Sequence, residues 1–194
     1  MKKIAIVLSA FFVFTAFTIH IDQYTADVTK SKLVWKAEKI TGGHDGHVSL
    51  KSGKVSMDHG KIAAASFVVD MTTITNDDIK SEKYSNKLVQ HLISEDFFHV
   101  KKHPEVSFEM IKATPLGNGK FDVFGNITIK DIKGVISFPM DLKETKSELI
   151  VIGSFTFDRT KFDIIYNSGS FFENLGDKAI DNAVTVEFEI VLNK

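Results

Sequence analysis

Apolar and polar residues alternate with a period of two along most of the chain beyond residue 32. This period puts successive side chains on opposite faces and predicts half-buried β-strands. Residues 121–130, FDVFGNITIK, show the pattern, with one apolar residue, Phe124, on the polar face. The apolar face of this stretch carries Phe121, Val123, Ile127 and Ile129, and the polar face carries Asp122, Asn126, Thr128 and Lys130.

Runs of this kind predict eight strands. They lie at 32–39, 48–58, 63–71, 105–113, 121–130, 133–143, 147–158 and 183–192. Most connections between these runs are short and rich in turn residues, which favours antiparallel neighbours over helical crossovers. The three glycines at positions 42, 43 and 46 predict a tight turn between the first two strands.

One longer connection has a helical pattern. Residues 77–94 are mostly charged and polar, with a stripe at helical spacing. The stripe consists of Tyr84, Leu88, His91 and Leu92. A shorter helical turn is predicted at 174–180. The class is therefore all-β, either a closed antiparallel barrel or a sandwich. Eight strands make about the smallest barrel that can hold one small ligand.

The first twenty residues differ from the rest of the chain. Residues 1–3 are cationic after the initial methionine, and residues 4–17 are almost wholly apolar. A positive start followed by an apolar run too short to span a bilayer predicts a secretory signal peptide at about 1–20. We place its cleavage between about Phe17 and Tyr24 and expect a periplasmic or secreted protein. The alternative is an uncleaved membrane anchor.

Composition excludes several classes. The chain has no cysteine, so it forms no disulfide and lacks the residue that bacterial lipoproteins acylate. Its net charge is -1, with basic and acidic residues interspersed. Binding to nucleic acid needs a basic field, so no nucleic-acid partner is expected. About 170 residues beyond the signal peptide suffice for one domain with a good core.

Six motifs now follow one another in an order found in a known family. They are YTADVTKSKLVW (24–35), GGHDGHVSLKSGKV (42–55), LISEDFFHVKKHPEVSF (92–108), GNITIKDIKGVISFPM (125–140), FTFDRTKFDI (155–164) and GDKAIDNAVTVEFEIVL (176–192). Over about residues 24–193 the chain resembles the YceI-like family of exported polyisoprenoid-binding proteins. The SxDFF…P…F block and the Asp158-Arg159 pair are the most specific parts. The chain departs from the family at Asp163, where glycine is frequent, which bears on the local turn geometry.

The resemblance implies a lipocalin-like, eight-stranded antiparallel β-barrel with a long apolar lumen and one or two short helices near its mouth. It implies a long-chain isoprenoid ligand, such as a polyisoprenoid or an isoprenoid quinone, or a similar amphiphile. No other cofactor and no enzymatic activity are expected. The oligomeric state stays open, with a homodimer as one alternative.

Seventeen phenylalanines are a heavy load for this length, and many fall on the inferred inner face. Aromatic and methionine side chains offer adaptable apolar contact to a flexible hydrocarbon. We expect the ligand to be bound by Trp35, Phe67, Val69, Phe108, Met110, Val123, Ile127, Phe138, Met140, Phe155 and Phe188. The alternative is a stress-associated barrel without ligand, in which the same residues fill a solid core.

The GGHDGHV stretch at 42–48 raises a second hypothesis. His44, Asp45 and His47 are residue types that bind zinc or iron, and they would serve a metal-dependent hydrolase or isomerase. On a strand, however, positions three apart lie on opposite faces, so one metal would require the glycines to bend the chain. No nucleophile elbow, cysteine nucleophile or phosphate-binding glycine loop is present. We therefore expect neither a catalytic residue nor a metal.

Two aromatic pairs stand in connecting segments, Phe97-Phe98 and Phe171-Phe172. We expect them to plug one end of the barrel; guarding a pocket entrance and transient membrane contact are the alternatives. The Asp158-Arg159 pair is expected to be a structural ion pair near a strand end.

Overall fold

The structure is a computed structural model that describes residues 21–194; the expected signal peptide and its cleavage lie outside this range. Its strands are β1 (Ile21–Ala26), β2 (Lys32–Lys39), β3 (Gly42–His47), β4 (Ser49–Asp58), β5 (Lys61–Asp70), β6 (Glu105–Gly117), β7 (Lys120–Ile129), β8 (Ile132–Glu144), β9 (Glu148–Asp158) and β10 (Ile180–Asn193). Within the described range there is one α-helix, α1 (Glu82–Ile93), with 3₁₀ turns at Met71–Thr73, Arg159–Phe162 and Gly176–Lys178.

The ten strand segments form one closed antiparallel barrel with eight strand positions. β1 and β2 follow one another along the same side of β10, and β3 and β4 follow one another along the far side of β2 and β1. β5 to β10 then run in chain order around the wall. The pairs Thr25↔Asn193 and Ala26↔Leu192 join β1 to β10 and close the ring. The eight-stranded antiparallel barrel predicted from the sequence is confirmed.

The predicted turn at glycines 42, 43 and 46 is wrong. These residues belong to β3, which pairs with β2 from Val34↔His47 to Lys39↔Gly42, and the turn lies before them at 40–41. Gly46 is required by close approach, because a Cβ there would collide with the backbone carbonyl of Thr75. That carbonyl accepts a hydrogen bond from Trp35 Nε1 at 3.0 Å. β1 was also missing from the sequence prediction.

The helix is shorter than the predicted 77–94. Thr75 N donates to His47 O and Asp77 N donates to Asp45 O, both at 2.9 Å, so this segment runs extended beside β3. It covers the edge that β3 would otherwise expose. The predicted turn at 174–180 is present as the 3₁₀ turn Gly176–Lys178. Among residues 21–194 no helix is long and apolar enough to cross a membrane.

The two ends of the barrel differ. The long connections 71–104, which contains α1, and 159–179 meet at one end, which we call the mouth. Short turns and the chain terminus meet at the other end, which we call the base. At the base the buried Tyr24 donates its hydroxyl to Glu144 Oε1 at 3.1 Å, and Lys194 Nζ lies 5.8 Å from the centre of the Tyr24 ring. Desolvation and the Glu144 contact raise the pKa of Tyr24, so its phenol stays protonated.

Candidate functional site

The inner face of the barrel surrounds an apolar cavity of about 180 Å³. Among its described lining residues, Ser107 and Arg159 alone carry a hydroxyl or a charge. All eleven residues expected from the sequence to face the lumen line this cavity. They are Trp35, Phe67, Val69, Phe108, Met110, Val123, Ile127, Phe138, Met140, Phe155 and Phe188. Their placement on the inner face follows the period-two pattern; their contact with a ligand stays a prediction.

The volume of the cavity lies between those of a solid core and an open tunnel. Pockets for drug-sized ligands measure about 300–1,000 Å³. An engineered cavity of about 150 Å³ holds a benzene molecule. At about 180 Å³, the lumen accepts a small apolar group as it stands. A long hydrocarbon chain requires the lining side chains to move apart.

Glycines in the wall let aromatic rings lie flat against it. A Cβ at Gly125 would lie 2.5 Å from the Phe108 ring, and one at Gly153 would lie 2.7 Å from the Phe188 ring. The ring of Phe138 stands between these two, 5.8 Å from Phe108 and 5.7 Å from Phe188, centre to centre. Rings seated over glycine occupy the space of the missing Cβ and leave more of the barrel axis open.

A lid closes the mouth. It consists of α1 and the segment after it, with Leu92 and Phe97 buried against the core. The His91 ring packs edge-on between Phe97 at 4.8 Å and Tyr166 at 4.5 Å. Phe98 lines the cavity beside them, so the first aromatic pair plugs the mouth as expected. The sequence prediction missed the roles of His91 and Tyr166, which become neighbours only through the fold.

The second aromatic pair does not act as a plug. Phe171 and Phe172 lie in the 159–179 connection and are 54% and 45% exposed. The expectation for this pair is wrong, because hydrogen bonds of other residues hold the connection in place. Ser168 Oγ donates to Asn182 Oδ1 at 2.7 Å and Ile180 N donates to Asn167 O at 2.9 Å, which leaves the two rings on the outside.

Arg159 is buried at the mouth end of the lumen, with 2% of its surface exposed. Its guanidinium donates to three backbone carbonyls: Asp181 O at 2.9 Å, Ile164 O at 2.6 Å and Ile180 O at 3.0 Å. Asp158 instead accepts hydrogen bonds from the N–H and hydroxyl of Thr160, which caps the following 3₁₀ turn. The expected direct Asp158–Arg159 pair is therefore wrong, although the role of Arg159 is structural. Burial lowers the pKa of the guanidinium, and the nearby Asp158 and Asp181 oppose that shift.

His44, Asp45 and His47 do not converge on one point. His44 Nδ1 lies 2.9 Å from Asp78 Oδ2, whereas His47 pairs with Asp77. Over the described range 21–194, no group of three His, Cys, Asp or Glu side chains is arranged to hold a metal ion. The histidines instead fasten the 74–78 segment to β3.

We expect Asp78 to make the stability of this fastening depend on pH. Burial alone would raise the pKa of its carboxyl, but hydrogen bonds from His44, Asn76 and Asp45 N outweigh burial and hold it low. A carboxyl whose pKa is lower in the folded state than in the unfolded chain stabilises the fold at pH values above its unfolded pKa of about 4. This stabilisation is lost as the pH falls through the pKa of the folded state. Because the carboxyl is 30% exposed, its contribution is about 1 kcal/mol.

Urea unfolding of Asp78→Asn and the parent protein across pH measures this contribution. The difference in unfolding free energy should be full above about pH 5 and shrink below about pH 4. Asp77→Asn, at a more exposed neighbour, is the matched control and should change stability less. A difference that stays constant down to low pH would contradict the assignment to Asp78.

Comparison with known proteins places this geometry among related barrels. The family model of the YceI-like domain matches residues 24–192. The crystal structure of BcnA from Burkholderia cenocepacia superposes with a TM-score of 0.68 at 20% identity, covering 86% of this chain and 98% of that one. A polyisoprenoid binding domain from Saccharophagus degradans, implicated in plant cell wall breakdown, superposes with a TM-score of 0.63 at 14% identity, covering 88% and 97%. At these identities the two structures support the fold.

A curated relative gives a closer but shorter match. A UPF0312 protein of Vibrio parahaemolyticus is 32% identical over 89 residues, which is 45% of this chain. The match spans 43% of the length of that relative.

Proposed function

Since the chain belongs to the YceI-like domain family, as the match over residues 24–192 shows, we propose that it holds a long-chain isoprenoid or a similar amphiphile in its lumen. The observation that carries this proposal is the closed barrel around a cavity with an almost wholly apolar lining. A polar substrate would bind poorly in such an apolar cavity, because nothing in it would replace the hydrogen bonds that the substrate makes with water.

The free energy of binding would come from burial of hydrocarbon. Each buried methylene contributes about 0.8 kcal/mol, so a chain of some tens of carbons can bind tightly after the cost of ordering it. The closed cavity of about 180 Å³ takes only part of such a chain. The cavity would widen for the rest of the chain when phenylalanine and methionine side chains change rotamer, which breaks no backbone hydrogen bond.

An isoprenoid is the ligand class that the relatives favour. The Saccharophagus degradans neighbour is described as a polyisoprenoid binding domain, and its barrel covers 88% of this chain. A polyisoprenoid and an isoprenoid quinone share the branched hydrocarbon tail that the lumen would contact. The role is binding and not catalysis, since the lumen presents apolar side chains where an enzyme would place reacting groups.

We further infer that the protein is exported and works in the periplasm or outside the cell. The cationic start and apolar run of residues 1–17 support export. Storage, shuttling or protection of a lipid across an aqueous compartment would then be its task. Transient contact with a membrane accompanies loading and release in this scheme.

Organic extraction of the purified protein followed by mass spectrometry tests the ligand class, and an isoprenoid chain at near-stoichiometric amount is expected. Extracted protein should then take up retinol, a short isoprenoid whose polyene quenches tryptophan emission. Trp35 is the sole tryptophan of the chain and lines the cavity, so its quenching reports on the lumen. Absence of lipid from repeated extracts, together with no saturable quenching, would contradict the proposal.

A further inference from the structure

β8 and β9 separate over half of their length. β8 has 13 residues, yet along the described chain it pairs with β9 at five positions only, from Met140↔Gly153 to Glu144↔Leu149. On its other side β8 pairs with β7 at ten positions, and β9 pairs with β10 at eleven. The backbone ladder is therefore absent between residues 132–139 and 154–158, as it also is between residues 61–65 and 110–117 of β5 and β6, which pair at five positions as well.

Pro139 explains where this ladder stops. The two residues of the β7–β8 turn, Lys130 and Asp131, have φ angles of 51° and 61°, as in a type I′ turn. The residues that flank such a turn, Ile129 and Ile132, share backbone hydrogen bonds. Alternation along an antiparallel ladder then directs even-numbered residues of β8 towards β7 and odd-numbered residues towards β9. Pro139 is the next residue due to donate to β9, and it has no N–H.

The unpaired stretch between β8 and β9 is bounded by contacts at both ends. We call it the slit, and it lies between residues 135–139 and residues 154–158. Towards the base it ends at the pair Met140↔Gly153. Towards the mouth it ends where the Phe162 ring packs on Gly134 and where Lys130 Nζ donates to Asp163 O at 2.7 Å. Five residues of strand correspond to a slit roughly 16 Å long.

Side chains, and not backbone hydrogen bonds, close the slit from within. The rings of Phe138 and Phe155 face each other across it at 5.5 Å, and those of Phe157 and Phe162 lie 5.7 Å apart. These rings can rotate aside while every ladder stays intact. The lid would have to move as a unit, because backbone hydrogen bonds such as Val100 N to Ile93 O at 3.0 Å tie its segment after α1 to the helix, and its opening would expose Leu92 and Phe97, which are buried in the core.

The outer surface beside the slit is unusually apolar. Ile111, Phe124 and Val135 lie on the successive strands β6, β7 and β8 and are 53%, 41% and 58% exposed. Phe124 and Val135 share the outer face, because Phe124 pairs with Ser137 and Val135 pairs with Asn126 in the same ladder, and Ile111 is exposed at the register shift of β6 next to Phe124. A row of exposed apolar side chains that ends at the slit offers a hydrocarbon chain contact before it enters.

A surface groove of about 630 Å³ meets the slit at its base end, where Pro139 and Ser154 line it. The groove and the lumen share two lining residues, Met140 and Phe188. Gly153 has no side chain to separate the two spaces, and the Phe188 ring covers it from within. The Phe188 ring alone therefore separates the groove from the lumen at Gly153, where the ladder ends.

From these observations we propose that the hydrocarbon chain of the ligand enters and leaves the lumen sideways through the slit, and not past the lid. This inference rests on the proposed function and adds the route to it. The exposed apolar row receives the chain, the rings of Phe138 and Phe155 turn aside, and the chain slides into the lumen.

A reversible cross-link across the slit tests the route. Because the chain has no cysteine, the pair Ser137→Cys with Thr156→Cys gives one defined link. Both positions are exposed and would be opposite each other if the β8–β9 register continued. The matched control, Thr156→Cys with Thr185→Cys, links a complete ladder, where the two native hydroxyls are 2.8 Å apart. A reducible bifunctional thiol reagent joins each pair, and Trp35 quenching follows retinol uptake from detergent micelles.

Linking the slit should slow uptake on the order of tenfold, with the final extent of quenching unchanged and the rate restored by reduction. The control should load at the unlinked rate. Pro139→Val, which restores the missing donor, should also slow uptake by a smaller factor. Equal rates of retinol uptake in the linked and unlinked slit variants would overturn the proposed route and leave the proposed function standing. No uptake by the parent protein would overturn both.

Discussion

Replacing Arg159 by methionine should lower the free energy of unfolding by about 4 kcal/mol. The guanidinium bonds three carbonyls, on Ile164, Ile180 and Asp181, and it is almost fully buried. Methionine keeps the volume of the stem but leaves these acceptors without a donor. Each orphaned buried acceptor costs about 1–3 kcal/mol, and part of this cost is recovered because no buried charge remains. Urea unfolding, followed by Trp35 emission, measures the loss.

Arg159→Lys is the matched control for charge. An ammonium carries the charge but cannot reach three carbonyls with a planar fork, so about half of the loss should remain. The denaturant slope should be unchanged in both variants, since the folded state keeps its compactness. If Arg159→Met stays within about 1 kcal/mol of the parent, the carbonyls have another source of donors and the role assigned to Arg159 is wrong.

Replacing Phe138 by glutamate should weaken retinol binding at neutral pH on the order of 100-fold or more. Phe138 is buried in the middle of the lumen, in ring contact with Phe108, Phe155 and Phe188. When a ligand binds, a carboxylate at this position must lose its water of hydration, and the cost of that desolvation opposes binding. Its apolar surroundings should raise the pKa of the new carboxyl, so binding should partly recover as the pH falls through that raised value.

Two variants separate this effect from a loss of folding. Ser137→Glu adds the same charge on the outer face of the same strand and should bind retinol like the parent protein. If Phe138→Glu does not fold, Phe155→Glu places the charge at a half-buried lining position and should give the same pH-dependent loss. Unchanged affinity in a folded Phe138→Glu variant would mean that retinol binds elsewhere.

The strands and their inner faces were predictable from the sequence because alternation assigns each residue to one face, whereas the choice of a barrel over a sandwich came from the family resemblance. Along β9 the inward residues Leu149, Val151, Phe155 and Phe157 alternate with partly or fully exposed ones, and no other element disturbs that period. The same rule placed all eleven expected lining residues correctly. It could do so without knowledge of register, since the period of a strand fixes its faces whichever neighbour it pairs with.

Features set by distant contacts were not predictable in this way. Three glycines at 42, 43 and 46 are typical of a turn, yet Gly46 is in a strand because Trp35 and Thr75 approach it from two other parts of the chain. The three carbonyl partners of Arg159 are likewise set by the fold of the 159–179 connection. A local pattern does not contain such information.

The slit did leave a signal in the sequence. Pro139 stands inside a run that otherwise alternates well, and a proline within a strand marks a side without a hydrogen-bonded neighbour. Period-two alternation alone assigns Pro139 to a strand and passes over what its missing N–H means. What the sequence could not provide is which neighbour is lost, because that depends on the turn at 130–131 and the register it imposes.

The meeting of β1 with β10 has a consequence for how the chain folds. These are the first and last strands of the described fold, and the pairs Thr25↔Asn193 and Ala26↔Leu192 join them. Until β10 is available for pairing, the polypeptide can be at most an open sheet with two bare edges, which are prone to stick to other chains. A C-terminal truncation that removes β10 should therefore give an aggregating product, and assembly of the ring should be slow, since it brings together positions separated by nearly the whole length of the domain.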